Sequence, residues 1–341
     1  MLETIKYLIG SPGPSGFGSR STAEDVTQNC PHLPSLTAII TGATSGIGAE
    51  TARVLAKRGV RLVLPVRTIK GGEDTRGRIL MESPQAEVLL MELDLSSLSS
   101  VRNFVNRFLS LNLPLNLLIN NAGRFSYGHG ISEDGIEMTF ATNYLGHFEL
   151  TMLLLKKMVE TAKVRGIQGR IVTVSSCIHS WFSGDILRYL HHITFHPSEY
   201  DATRAYALSK LANVLHTKEL SRRLHVWTDE MKANVTVNCV HPGVVRTRLN
   251  RDREGFVTDL VFFFSSKFMK TVSQGAATTC YVATNPELEK VSGKFFADCN
   301  EMIPSKLASN AYEARRLWIA SEIMASSQNP KTVFDLMLYD T

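Results

Sequence analysis

Four polar residues have types and spacings that suit proton transfer to or from a carbonyl oxygen. Tyr206 and Lys210 lie four residues apart in a helical pattern, so their side chains share one helix face. An ammonium group beside a tyrosine is expected to lower its pKa from the ordinary value of about 10. Ser176 could hold a substrate oxygen, and Asn143 could orient a water molecule that relays protons from the lysine. Carbonyl reduction also needs a hydride, which a nicotinamide cofactor supplies.

These residues must be positioned by other elements, and the clearest of those is the segment LTAIITGATSGIG at 36–48. A short apolar run enters a glycine-rich turn, and good helix formers follow it. Glycine permits positive φ and removes the Cβ, while a helix start offers free N–H groups to a pyrophosphate. A plain strand-to-helix turn is the alternative interpretation. The predicted cofactor contacts in this turn are Gly42, Thr44, Ser45, Gly46, Ile47 and Gly48.

Further apolar segments alternate with helical patterns along the chain. Strands are predicted at 60–66, 88–95, 115–119, 170–176 and 235–240, and helices at 98–109, 133–162 and 203–224. This alternation predicts an α/β fold, a doubly wound parallel sheet of the Rossmann type in a single domain with helices on both faces. Ligands bind beyond the carboxyl ends of the strands in such sheets, and the candidate residues fall at those ends.

Arg67 ends the second predicted strand, about twenty residues after the glycine turn. An acid at this place would bind the ribose hydroxyls of NAD, whereas an arginine fits the 2′-phosphate of NADP. Lys70 adds positive charge nearby. An ordinary surface arginine is the other interpretation. The sequence therefore favours NADP(H) as the cofactor.

Composition marks an N-terminal arm and excludes some functions. Residues 1–35, rich in Ser, Gly and Pro, are predicted to be flexible. The NADP-binding domain is predicted over 36–300, the range covered by the motifs described below, and 301–341 is predicted to be a C-terminal extension with one helix. Residues 177–202 are predicted to be irregular. The chain has 44% hydrophobic residues and a net charge of +5, which suits a globular protein with an anionic cofactor. No basic run with interleaved aromatics indicates nucleic-acid binding.

Metal and membrane features are weak in this sequence. The five cysteines are widely spaced, and the histidines at 191, 192 and 196 lack partners at metal-ligand spacing, so no metal is predicted. No run is long enough to span a bilayer, and residues 1–10 resemble neither a signal peptide nor an anchor. Contact with a membrane surface, without a span, is an alternative that the sequence does not exclude. An apolar cluster within 256–268 is predicted to be a lid over an apolar substrate pocket, with a membrane-facing patch as the alternative.

The motifs together resemble those of short-chain dehydrogenases/reductases. They are TGATSGIG at 41–48, NNAG at 120–123, Asn143, VSS at 174–176, YALSK at 206–210 and HPG at 241–243, in the family's order and covering roughly 36–300. The resemblance implies a catalytic tetrad of Asn143, Ser176, Tyr206 and Lys210, with Ser175 as the other candidate serine. It also implies further cofactor contacts at Asp94, Leu95, Asn121, Ala122, Gly123, Tyr206, Lys210, Pro242, Gly243, Val245 and Thr247.

Within that family the chain is similar to the retinol-dehydrogenase-like branch, in particular to plant members related to the dehydrogenase subunit of the chloroplast inner-envelope import translocon. The stretches that carry this are LINNAG, ATNYLGHF at 141–148 and YALSKLANVLH at 206–216. The resemblance implies a chloroplast location, peripheral at the inner envelope, with the cytoplasm as the alternative. It also implies homodimer pairing through the helices near 133–162 and 203–224, unless the C-terminal extension blocks it.

Two functions are compatible with these features. The first is an NADP(H)-dependent oxidoreductase that interconverts carbonyl and alcohol on an apolar small molecule such as a retinal, steroid, quinone or aldehyde. The second is an NADP(H)-binding redox sensor or regulatory subunit of a plastid membrane protein-import complex. A sensor would not need Tyr206, Lys210, Ser176 and Asn143, so their presence favours the enzyme. The helix that includes Arg315 weakly suggests a calmodulin-type partner, and a helix packed on the domain's edge is the alternative.

Overall fold

Short apolar strands separated by helices assemble into one mostly parallel sheet. The computed structural model describes residues 7–31, 33–231, 234–245 and 269–326. The strands are β1 Thr37–Ile40, β2 Arg61–Val66, β3 Val88–Glu92, β4 Leu117–Asn120, β5 Gly169–Val174, β6 Val235–His241, β7 Phe295–Ala297 and β8 Asn300–Met302. They hydrogen-bond in the order β3-β2-β1-β4-β5-β6-β7-β8, and every neighbouring pair is parallel except β7 with β8.

Helices cover both faces of this sheet. They are α1 Ala23–Thr27, α2 Gly46–Lys57, α3 Ile69–Glu82, α4 Leu98–Ser110, α5 Gly146–Arg165, α6 Ile186–Phe195, α7 Ala202–Met231, α8 Val272–Thr284 and α9 Ala311–Ser326. Because side chains alternate along a strand, Ile39 joins a core with α4, α5, α7 and α9, whereas Ala38 and Ile40 join a second core with α1, α2 and α8. The predicted doubly wound Rossmann-type fold is confirmed.

Several element boundaries differ from the sequence prediction. The helix expected from 133 begins only at Met138, because the Glu137 carboxylate accepts from the N–H groups of Thr139 and Phe140 at 2.8 Å each. The strand expected over 88–95 ends at Glu92. Residues 177–202, predicted to be irregular, contain α6, whose start is capped by the Asp185 side chain. These differences arise from caps and from an apolar helix face that the histidines and aromatics obscured.

The described part of the N-terminal arm is packed against the domain. Ala23 and Val26 of α1 are buried, and α1 lies against α8 and α2. Arg53 of α2 pairs with Glu24 at 2.9 Å. Exposed ion pairs contribute little stability, so the buried apolar face of α1 holds this segment in place. For residues 7–31 the prediction of a flexible arm is therefore wrong, because the Ser, Gly and Pro content concealed a short capped helix.

The described residues after 300, up to Ser326, also belong to the same domain. The boundary predicted at 300 falls within β8, and α9 packs across α5 and α7. Trp318 is 1% exposed, with its ring 5.3 Å from Phe148 and 5.4 Å from His216. Ser321 and Tyr144 share a hydrogen bond of 2.6 Å. Leu317, Trp318 and Met324 of α9 are buried in the protein's own core, as the edge-packing alternative expects, whereas Ile319 is 46% exposed.

None of the helices in the described ranges is long and apolar enough to cross a bilayer.

Burial of His216 predicts an acid-sensitive stability. It lies among aromatic rings, and burial lowers its pKa to about 4 from 6.5. The unfolded chain therefore binds more protons than the folded protein between pH 6.5 and 4, so the free energy of unfolding falls as the pH falls. From pH 7 to pH 5 this residue should contribute a loss of about 2 kcal/mol.

Urea unfolding of His216→Leu at pH 7 and pH 5 measures this effect. The variant should lose about 2 kcal/mol less than the wild type between the two pH values. His225→Leu, which replaces an exposed histidine of the same helix, should keep the wild-type difference. If the wild type and both variants lost the same free energy of unfolding between pH 7 and pH 5, His216 would not be the source of the acid sensitivity.

Candidate active site

The turn after β1 forms a cradle in which two positions require glycine. Gly42 has a φ of +67°, which favours glycine. A Cβ on Gly48 would lie 2.3 Å from Asn121 Nδ2 and 2.4 Å from the carbonyl oxygen of Gly42, too close for any other residue. The Ser45 side chain does not cap α2, so the first N–H groups of the helix face the turn uncapped. This cradle fits the pyrophosphate of a dinucleotide.

A buried hydrogen-bond network holds this turn to the end of β4. The Thr41 hydroxyl accepts from the N–H groups of Asn121 and Ala122 at 2.9 and 3.0 Å. It lies 2.8 Å from His147 Nε2, while His147 Nδ1 lies 3.1 Å from the carbonyl oxygen of Asn143. That carbonyl can only accept, so Nδ1 carries the proton and Nε2 accepts from Thr41. Burial lowers the pKa of His147 to about 4, in keeping with a neutral ring.

Thr41 and His147 were missed by the sequence analysis as site residues. Their contact joins residues 106 positions apart, which no local pattern reveals. The only available signals were their places within TGATSGIG and ATNYLGHF. The network makes them positioning residues that connect the cofactor turn to Asn143.

The ends of β2, β3 and β4 carry the other predicted cofactor contacts. Arg67 is exposed directly after β2, and Val66 pairs with Glu92 of β3, so the register brings Arg67 near the Asp94 end of its neighbour. Leu95, which follows Asp94 in the sequence, is buried. Asn121 Nδ2 donates to the carbonyl oxygen of Thr41 at 2.8 Å. The structure places these residues along one sheet edge, and their contact with a cofactor stays a prediction.

The two candidate serines at the end of β5 differ in their surroundings. Ser175 is buried, and its hydroxyl donates to the main-chain oxygen of Lys210 at 2.7 Å. Ser176 is partly exposed, and its hydroxyl accepts from the Ile178 N–H at 3.3 Å. The hydroxyl of Ser175 is used within the fold, whereas Ser176 still has a hydrogen to donate. This difference supports Ser176 as the substrate-facing serine.

Tyr206 and Lys210 lie one turn apart on α7. Lys210 Nζ is 5.5 Å from the centre of the Tyr206 ring and donates to the carbonyl oxygen of Val174 at 3.0 Å. Burial lowers the pKa of Lys210 to about 8 and raises the pKa of Tyr206 above its ordinary value. The expectation of a lowered tyrosine pKa is therefore wrong for the protein alone, because burial of the phenol raises its pKa and the nearby Cys177 adds to the rise.

Asn143 lies in a π-turn, Ala141–Leu145, that leads into α5. Its Oδ1 accepts from the Arg124 N–H at 2.7 Å, and its Nδ2 donates to the Arg124 carbonyl oxygen at 2.9 Å and to Ser209 Oγ at 3.0 Å. A Cβ on Gly123 would lie 3.5 Å from Lys210 Nζ and 3.6 Å from Asn143 Oδ1, so these groups converge at Gly123. Asn143 thus fixes the chain after β4, and its part in a water relay stays a prediction.

The HPG motif begins at the last residue of β6 and leads toward an ion pair that includes the buried Lys270. Pro242 and Gly243 come directly after the strand, and buried Val245 forms an isolated parallel bridge with Lys270. Lys270 in turn pairs with Asp298. Thr247 and the apolar cluster within 256–268, predicted to be a cofactor contact and a lid, lie outside the described residues.

In the described parts of the chain, no group of three or more His, Cys, Asp or Glu side chains is arranged to hold a metal ion.

A Rossmann-type sheet with a glycine cradle and a Tyr–Lys pair defines a class of nucleotide-binding α/β proteins. Comparison of the sequence with known proteins identifies the family. A family model for short chain dehydrogenases matches residues 36–181. The chain is 47% identical over 319 residues to the short-chain dehydrogenase TIC 32 A, chloroplastic, of Brassica napus, covering 93% of this chain and 97% of that protein. It is 39% identical to retinol dehydrogenase 12 of Mus musculus, covering 85% and 86% of the two chains. The protein belongs to the short-chain dehydrogenase/reductase family.

Solved structures agree on the fold. A putative uncharacterized protein from Mycobacterium paratuberculosis has a TM-score of 0.68 and 30% identity, covering 90% of this chain and 98% of its own. An actinorhodin polyketide ketoreductase with NADPH has a TM-score of 0.57 and 24% identity, covering 82% and 99% of the two chains. The second likeness supports the fold alone.

Proposed function

We propose that this protein is an NADP(H)-dependent oxidoreductase that interconverts a carbonyl and an alcohol on an apolar small molecule, with Tyr206 as the acid/base. The observation that carries the proposal is the burial of Lys210 beside Tyr206. Burying a lysine is costly unless its charge serves a partner. The Val174 carbonyl holds the ammonium group next to the phenol, where a positive charge supports proton transfer.

Each side chain has a distinct role in this proposal. When bound, the nicotinamide of NADP(H) supplies or accepts the hydride. Ser176 holds the substrate oxygen, and Tyr206 donates a proton to it during reduction. Tyr206 is protonated at neutral pH, because burial raises its pKa. The Lys210 ammonium group beside the ring would favour loss of that proton to the substrate oxygen. Asn143 keeps the loop after β4 and the helix of Tyr206 in register through Arg124 and Ser209.

The choice of NADP(H) is supported by exposed positive charge at the end of β2. Arg67 and Lys70 are both exposed there, beside the sheet edge that the adenosine ribose would occupy. The glycine cradle would hold the pyrophosphate. The ketoreductase with NADPH and an oxoacyl reductase from Agrobacterium tumefaciens with NADP bound share the fold.

We further propose a chloroplast location with peripheral contact at the inner envelope. The support is the similarity to two Brassica napus relatives that are chloroplastic by name, at 47% and 46% identity. The second candidate function is an NADP(H)-binding redox sensor within a plastid import complex, which a chloroplast location would also allow. We also propose that α9, which packs across α5 and α7, prevents homodimer pairing through those two helices.

An NADPH-oxidation screen tests the proposed function. Purified protein would be assayed at 340 nm against a retinal, a steroid ketone, a quinone and an aliphatic aldehyde, with NADH in parallel. We expect turnover of at least one apolar carbonyl and a preference for NADPH. Binding of NADPH without turnover of any of the four classes would reject the enzyme and favour the sensor.

A further inference from the structure

The peptide unit that follows Ser176 is held at both of its polar atoms by histidine side chains. Its carbonyl oxygen, on Ser176, accepts from His179 Nδ1 at 2.8 Å. Its N–H group, on Cys177, donates to His241 Nδ1 at 3.3 Å. Because a peptide unit is planar, two contacts on its opposite sides fix the rotation of the backbone directly after the candidate serine.

Each histidine ring makes these contacts in one neutral form. His179 Nδ1 faces a carbonyl oxygen and therefore carries the proton, while His179 Nε2 accepts from the Ser305 N–H at 3.2 Å. His241 Nδ1 accepts from an N–H group, so its proton lies on Nε2. Burial lowers the pKa of both rings, that of His241 to about 4, in keeping with the neutral forms. His179 thereby ties the peptide unit to the chain that follows β8.

The backbone before Ser176 is fixed by the sheet. The Ser175 N–H donates to the Val240 carbonyl oxygen at 2.8 Å, continuing the pairing of β5 with β6. The Ser176 hydroxyl is carried between this contact and the peptide unit that the histidines hold, so its direction depends on both. A misplacement of about 1 Å near the reacting atoms can lower a rate by about a hundredfold.

We propose that His179 and His241 are positioning residues that direct the Ser176 hydroxyl toward the substrate oxygen. The inference rests on the proposed function and adds two residues that act through the serine. A histidine suits this task because it offers a planar donor or acceptor on a side chain with few rotatable bonds. The hydrogen bond from Ser176 strengthens as charge develops on the substrate oxygen, so the histidines should affect kcat more than KM.

Leucine and asparagine variants of each histidine test the inference. Asparagine offers a polar atom at the place of Nδ1, whereas leucine offers none. With NADPH and the best carbonyl from the screen, His179→Leu and His241→Leu should lower kcat about ten- to a hundredfold. KM and NADPH affinity should stay within about twofold of the wild type, and the asparagine variants should recover most of kcat. His225→Leu, which replaces an exposed histidine of α7, should equal the wild type.

A Ser176→Ala background shows whether the histidines act through the serine. Once the hydroxyl is absent, its direction no longer matters, so adding His241→Leu should lower kcat by less than about twofold. A further loss of about tenfold or more in this background would overturn the inference, because His241 would then act on another part of the site.

The possible results separate this inference from the proposed function. If the wild type is active and the leucine and asparagine variants lose kcat equally, the rings serve only packing, and the inference is overturned while the enzyme proposal stands. A fall of NADPH affinity in step with kcat would assign His241 to the cofactor turn and would also overturn it. A wild type that binds NADPH but reduces none of the screened carbonyls would overturn both. Thermal unfolding shows whether each variant folds, and an alanine variant, which also lacks the polar atom, replaces a leucine variant that does not.

Discussion

Replacement of Tyr206 by phenylalanine is expected to lower turnover by at least about a hundredfold while NADPH still binds, since a positioned general acid contributes about this much or more. The substitution removes only the phenol oxygen. The ring stays packed against Phe125 at 5.5 Å, and Lys210 keeps its hydrogen bond to the Val174 carbonyl. The loss therefore reports proton donation and not collapse of the site.

Turnover of Tyr206→Phe should be measured with NADPH and the best carbonyl from the screen, and NADPH affinity by fluorescence titration. Tyr281→Phe is the matched control, because it removes a hydroxyl from a mostly buried tyrosine of α8 outside the site. Turnover of the control should equal that of the wild type. Wild-type turnover in Tyr206→Phe itself would remove Tyr206 from the mechanism.

Arg67→Asp is expected to weaken NADPH binding by at least about ten- to a hundredfold. A guanidinium makes charge-assisted hydrogen bonds to a 2′-phosphate, and such bonds contribute about 1.5–3 kcal/mol. The aspartate adds repulsion to this loss. Affinity for NADH should hold or improve, because an acid at the end of β2 can accept from the ribose hydroxyls. Lys70 remains, so the ratio of affinities should shift without full reversal.

Fluorescence titration of both cofactors against both proteins gives that ratio. Arg61→Asp is the matched control, since Arg61 begins the same strand whose opposite end Arg67 follows. It pairs with Glu87 at 2.6 Å, and its replacement should leave the NADPH-to-NADH ratio unchanged. An unchanged ratio in Arg67→Asp would mean that its guanidinium contributes nothing to cofactor choice.

Local patterns predicted β1 to β6 because these strands are short, mostly apolar runs, whereas the three-residue strands β7 and β8 were not predicted. They also predicted which residues meet at the carboxyl edge, since parallel strands all end on that edge. Local patterns could not predict contacts between segments that are far apart in the sequence. The packing of α1 on α8 and the hydrogen bond between Thr41 and His147 depend on tertiary structure. The Ser- and Gly-rich composition of the arm gave no sign of α1.

The pKa of Tyr206 shows the same limit in electrostatic terms. Spacing alone placed a positive charge one turn away and predicted a lower pKa. The fold also withdraws the phenol from water, which penalises the phenolate and raises the pKa. The pKa of Lys210 shifts in the opposite direction, to about 8, because burial penalises the charged form of the lysine. Burial depends on every element around α7, so the sign of the shift could not be derived from the two residues alone.

The position of α9 has a consequence for how the folded protein depends on its own concentration. If a second molecule covered α5 and α7, dilution would uncover them by mass action. Here Trp318 and its neighbours cover α5 and α7 from within the chain. A tethered segment acts at an effective concentration in the millimolar range, independent of how much protein is present. The arrangement of α5 and α7 around the candidate site should therefore be the same in dilute and in concentrated solution.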